Sequence, residues 1–132
     1  MGRSVAADKS FKFAVRVVNL YRFLDEEKHE YAMSKQLLRS GTSIGANISE
    51  ALHAQGKRDF LSKINIALKE ANESAYWIEL LHATKYINDK QSESIYTYCN
   101  EIISLLAAIV KTTKKNLEPE KNRTNASIGE QK

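Results

Sequence analysis

Leu37 to Ala51 reads LLRSGTSIGANISEA, and the reading of its two glycines decides the fold. Leu37, Ile44 and Ile48 recur at helical spacing, and Gly41 and Gly45 fall on that same apolar face, four residues apart. Each glycine costs about 1 kcal/mol relative to alanine inside a helix, so either the helix breaks between Ser40 and Ala46 or another backbone packs very close to it. The shared face favours an intact helix with close packing. A phosphate-binding loop is the competing reading. It needs a Gly-Lys-Ser/Thr ending and a preceding strand, and this stretch has neither.

Outward from this segment, which spans about residues 30–54, three more stretches carry helical periodicity with short punctuation between them. The first runs from about Ser10, read as its N-cap, to Leu24. Its apolar residues cover more than half the circumference, whereas one buried side needs a stripe of only about 100°. That excess predicts a second contact beyond the core, with Phe13 and Val17 as candidates. The third stretch, about residues 58–86, places Ile64, Ala67, Leu68, Ala71 and Ile78 on a core face. Ile66, Trp77 and Leu80 lie on another side, read either as the edge of the core or as a subunit contact. Asn88 and Asp89 cap the fourth, which continues to about Lys114. The expected architecture is all-α, an antiparallel up-down-up-down four-helix bundle over residues 10–115, with a flexible N-terminus (1–9) and a disordered polar tail (116–132).

Composition fits one such domain: 132 residues, 42% hydrophobic and 27% charged. The single cysteine, Cys99, has no internal partner and sits among apolar positions, so a small core side chain is expected rather than a nucleophile. With no signal peptide and no apolar run long enough to span a bilayer, the expectation is a cytoplasmic protein without a membrane partner.

Glu-x-x-His occurs three times, as Glu26 with His29, Glu50 with His53, and Glu79 with His82. Such pairs on helices can build di-metal centres, but these need a further carboxylate from each remaining helix, and the first helix offers no inward Glu. No cofactor or metal site is therefore expected within one subunit. A metal-dependent enzyme using Glu79 and His82 across subunits is kept as the least favoured alternative to a non-enzymatic protein.

Arg58 to Leu81 reads RDFLSKINIALKEANESAYWIELL. This stretch and Leu37 to Ala51 resemble the hallmark segments of the four-helix-bundle family encoded by intervening sequences in bacterial 23S rRNA genes, and the similarity extends from about Phe11 to Lys114. The resemblance implies a bacterial source and a homopentameric ring. Through kinship with accessory variability proteins of retroelements, basic pentamers that work with a reverse transcriptase, it also implies RNA, DNA or a nucleic-acid-processing enzyme as a partner. A protein-binding scaffold without nucleic acid is the alternative.

Arg39, Ser43, Asn47 and Glu50 form one polar row beside the glycine-bearing face, either holding a neighbouring helix or subunit in register or facing a ligand. The net charge of +4 is unevenly spread. Residues 1–24 hold five basic and one acidic residue and residues 35–63 five and two, while residues 64–110 hold three and six. Candidate phosphate contacts are Lys12, Arg16 and Arg22 on the first helix, and Lys57, Arg58 and Lys63 around the start of the third. No aromatic row interleaves them, so binding should carry little sequence preference. Residues 111–132 hold six basic and three acidic residues, a charge that belongs largely to the tail and leaves +1 for residues 1–110.

Overall fold

The structure, a computed structural model, describes residues 4–130, with side chains from Ser4 to Leu117. Four helices follow in order: α1 (Val5–Glu26), α2 (Met33–Leu52), α3 (Lys57–Ala83) and α4 (Asp89–Glu130). Among the described residues there is no strand. Each helix packs against its sequence neighbours and α1 closes onto α4, with no close backbone approach across either diagonal among the described residues. The pairings fix the directions. Arg39 meets Glu70 and Glu73 while Glu50, farther along α2, meets Lys63, earlier in α3. Likewise Lys9 reaches Glu101 and Arg16 reaches Ser94, so α1 and α4 are antiparallel too.

The glycine-bearing segment is one unbroken helix, because the space where its side chains would stand is filled by α1. A β-carbon on Gly41 would meet Val17, and one on Gly45 would meet Ser10. Around this contact Phe13, Leu37, Ile44, Ile48, Ile64, Ile78, Leu81, Ile102 and Leu106 form the fully buried core. Two serines cross it: Ser40 and Ser74 hydroxyls hydrogen-bond at 2.9 Å between α2 and α3, with the Glu70 carbonyl 2.9 Å from Ser74 Oγ. A buried hydroxyl pair costs little once each finds a partner.

Several boundaries differ from the sequence expectation, each for a local reason. α1 starts at Val5, capped by Ser4, whose Oγ accepts from the Ala7 N–H at 3.3 Å. Ser10 is therefore an interior, buried residue donating to the Ala7 carbonyl. Glu30 does not open α2. Its buried carboxylate accepts the backbone N–H groups of Ala32, Met33 and Ser34 at 2.7–3.0 Å and so caps the helix from outside. Asn88 and Gln91 exchange backbone N–H and side-chain carbonyl bonds at 2.8 Å, a capping box at the start of α4. That helix runs on to Glu130, past the end expected near residue 115. Of the segments expected to be flexible, residues 1–3 and 131–132 lie outside the described residues, as do the side chains beyond Leu117.

Candidate nucleic-acid interface

The structure divides the six candidate cations by what already holds them. Lys12 and Arg22 stand exposed on α1, and Arg58 is exposed in the first turn of α3, none of them with an acidic partner among the described residues. Lys57, which opens α3, is exposed as well. Arg16 is engaged: its guanidinium bonds the Ser94 hydroxyl at 2.7 Å and the Ser94 carbonyl at 3.4 Å, and lies 5.8 Å from the centre of the Tyr98 ring. Lys63 pairs with Glu50 at 3.3 Å. Spacing alone does not separate these six candidate phosphate contacts, because a helical wheel shows direction but not reach. A long Arg or Lys stem can bend back onto the next helix.

Arg16 belongs to a seam that sequence reading did not foresee. Tyr98 stacks on Phe13 with ring centres 6.2 Å apart and planes 17° from parallel, while Lys9 lies 5.4 Å above the same ring and pairs with Glu101 at 3.3 Å. Cations on an aromatic face are stabilised by its quadrupole. The arrangement ties α1 to α4 along the least closely packed side of the bundle.

The polar row of α2 is spent largely within the chain. Arg39 binds Glu70 at 3.2 Å and also Glu73, and these contacts, the Glu73 hydrogen bond foremost, raise its pKa. Glu73 accepts the Trp77 indole N–H at 3.2 Å, so Arg39, Glu73 and Trp77 form one chain across the α2–α3 groove. Ser43 donates to the Arg39 carbonyl at 2.6 Å and Asn47 to the Ser43 carbonyl at 2.8 Å, each one turn back along α2.

The interface candidates also separate. Phe13 and Val17 are core residues at 0% exposure, contrary to the expectation, because the α1 face they occupy is the one pressed onto Gly41 and α4. Outward-facing apolar residues of α1 are instead Phe11, 70% exposed, and Val15, 46% exposed. Ile66 is exposed on α3, whereas Trp77 and Leu80 are half-buried, Trp77 edge-on to the exposed Tyr76 at 5.0 Å.

None of the three Glu-x-x-His pairs converges on a common point. Glu50 is bound to Lys63, and His53 bonds its own Ser49 carbonyl at 2.9 Å. His29 contacts the Tyr31 hydroxyl at 3.2 Å. Glu79 accepts the Tyr96 hydroxyl, which raises the Tyr96 pKa, and His82 meets Asp89 at 2.7 Å. These side chains line an open cleft of about 330 Å³ at the α3–α4 end, but among the described residues no group of three or more His, Cys, Asp or Glu is placed to hold a metal. Also among the described residues, no helix is long and apolar enough to cross a membrane. Cys99 is fully buried, its thiol 3.4 Å from the Ala71 carbonyl, and desolvation pushes its pKa up to about 12.

Three cations outside the six phosphate-contact candidates stand on the described part of α4. Lys111, Lys114 and Lys115 are helical and exposed, on the turns that follow the buried Val110. The signal is present in the i, i+3, i+4 spacing of the three lysines, but with the helix expected to end near Lys114 their charge counts with that of the tail.

A similar chain of known structure shares the architecture. It is a protein of unknown function from the S23 ribosomal protein family of Bacteroides thetaiotaomicron VPI-5482. It is 61% identical, and the match covers 81% of this chain and 99% of that one at a TM-score of 0.80. No curated protein matches the chain. The family model described as 23S rRNA-intervening sequence protein matches residues 3–108, and the chain belongs to that family.

Proposed function

We propose that the protein is a non-enzymatic, self-associating helical bundle, assembled as a homopentamer in the bacterial cytoplasm, that binds RNA or DNA or accompanies a nucleic-acid-processing enzyme. The observation that carries this reading is the state of Lys12, Arg22 and Arg58: exposed cations with no acidic partner among the described residues. Phosphate neutralisation, the main source of non-specific nucleic-acid affinity, needs cations in that state, and a ring of subunits would repeat each of them around its axis.

Light scattering on protein purified without nuclease, with its 260 to 280 nm absorbance ratio recorded, tests stoichiometry and bound nucleic acid together. A pentameric mass and an elevated ratio are expected, followed by salt-sensitive binding of duplex DNA or structured RNA on titration. Absence of binding to either at low salt removes the reading. The exposed Phe11 and Val15 favour one second reading, a protein-binding scaffold, which would retain a protein ligand and show no nucleic-acid affinity.

A further inference from the structure

Antiparallel packing turns the segmental charge of the sequence into an end-to-end polarity. The half of the bundle that contains the α2–α3 turn comprises residues 4–15, 43–69 and 103–117, and it holds nine basic and three acidic residues. The opposite half, residues 16–42 and 70–102, holds seven basic and ten acidic residues. Charges of +6 and −3 therefore face opposite ways along the bundle axis.

The helix registers show where the positive charge concentrates. Lys9 meets Glu101, so α4 beyond about residue 105 continues past the start of α1. On its other side Ala71 meets Cys99 and Glu79 meets Tyr96. Carried along two antiparallel helices at about 1.5 Å per residue, that register brings Lys57 and Arg58 level with roughly residues 112–117 of α4. Lys111, Lys114 and Lys115 share one face of that stretch, and no acidic residue lies between residues 103 and 117. We infer that this end of the bundle, where Arg58 and Lys57 stand level with Lys111, Lys114 and Lys115, is the surface that contacts the phosphodiester backbone of a nucleic acid. The strand then lies across the bundle end, with Lys12 and Arg22 on the α1 flank secondary to it. Cations outnumber acids nine to three in this half, which suits a phosphodiester backbone. Asp59 and the exposed Val5 and Leu52 stand at the same end, so competition by polyglutamate is the arm of the test that distinguishes a carboxylate-bearing protein.

The inference rests on the nucleic-acid reading above, and the test separates the two. Affinity of the full chain for a labelled DNA duplex and for a structured RNA is measured by anisotropy between about 50 and 200 mM salt. The variant K111Q/K114Q/K115Q is compared with wild type and with K35Q/K85Q/K90Q, which removes the same charge from the opposite end. Each lost phosphate contact lowers the slope of log K against log salt by about 0.9 on duplex DNA, so the first variant should lose about two units or more and bind at least tenfold more weakly. The second should stay near wild type, and both should melt within a few degrees of it. Equal losses in the two variants would mean that net charge alone matters and would overturn the inference. So would a first variant that binds as wild type does, or displacement by polyglutamate at a matched charge concentration. A wild-type protein that binds neither probe removes the nucleic-acid reading itself, and this assignment with it.

Discussion

A β-carbon built on Gly41 would lie 2.8 Å from Cγ2 of Val17, nearer than real side chains approach, while one on Gly45 would lie 3.3 Å from the Ser10 hydroxyl. Val17 is fully buried and branched at Cβ, so it has no low-energy rotamer into which to withdraw. Gly41→Ala should therefore lose about 1–3 kcal/mol to overpacking, only partly offset by the ~1 kcal/mol better helix propensity of alanine. Gly45→Ala meets a smaller obstacle and should be close to neutral. Urea denaturation measures both, and the double variant G41A/V17A should recover part of the G41A loss. A G41A protein more stable than wild type would mean that α1 and α2 are not held at this distance.

Glu30 provides a pH signature. Burial alone would lift its carboxyl pKa, but bonds from Ser34, Ala32 and Met33 hold it below the ordinary carboxylate value. A group depressed in the folded state contributes stability that is complete above its unfolded pKa, and loses it as the pH falls through the folded value. Wild type should accordingly weaken on acidification below about pH 5, and part of that slope should vanish in Glu30→Gln. At pH 7 that variant should be less stable by about 1–2 kcal/mol, the range for a lost helix cap. Melts of both proteins from neutral to acid pH measure the difference, and parallel pH curves would contradict the capping role.

Cys99 should be chemically silent. Burial pushes its pKa up to about 12, so at pH 8 only about one thiol in ten thousand is ionised, and the thiolate is the reactive form. A thiol reagent should label the folded protein only as fast as the bundle opens, and label it fully in denaturant. Rapid labelling under native conditions would place the thiol outside the core.

The fold was legible because its decisive evidence is periodic. Leu37, Ile44 and Ile48 with Gly41 and Gly45 on one face required a close neighbour, and α1 supplies it through Val17 and Ser10. What escaped were choices that a helical wheel leaves degenerate. On α1, where apolar residues cover most of the circumference, periodicity gave no reason to bury Phe13 and expose Phe11; the packing of Phe13 against Tyr98 of α4 decides it. Charged side chains raised the same difficulty. Arg16 and Lys12 look equivalent in sequence, yet Ser94 and Tyr98 engage only the former. α4 runs past the end expected near residue 115 because a helix that outgrows its bundle loses the apolar pattern before it loses its backbone hydrogen bonds.

The Arg39, Glu73 and Trp77 chain predicts a spectroscopic effect without a functional one. Removing the guanidinium in Arg39→Gln frees the Glu73 carboxylate beside the indole, so Trp77 emission should shift or be quenched. Because Arg39 is already committed to Glu70 and Glu73, nucleic-acid affinity should remain within about twofold of wild type, well short of the tenfold that a lost strong contact brings. A large loss of affinity with unchanged fluorescence would assign Arg39 to a ligand.

Phe11 and Val15, one turn apart and turned away from the core, separate assembly from folding. Substituting them with serine removes apolar surface already in water, so the helical content and melting of the isolated bundle should barely change. If this face packs against another subunit, light scattering should show a lower mass for F11S/V15S at the same concentration. Phe13→Ala supplies the contrast. It opens a cavity between α1 and α4 and should lose about 3–5 kcal/mol of stability, the cost expected for a core aromatic and not for a subunit contact. Were F11S/V15S to keep its wild-type mass, self-association would have to run through another face, with the exposed Ile66 and Tyr76 of α3 the next to substitute.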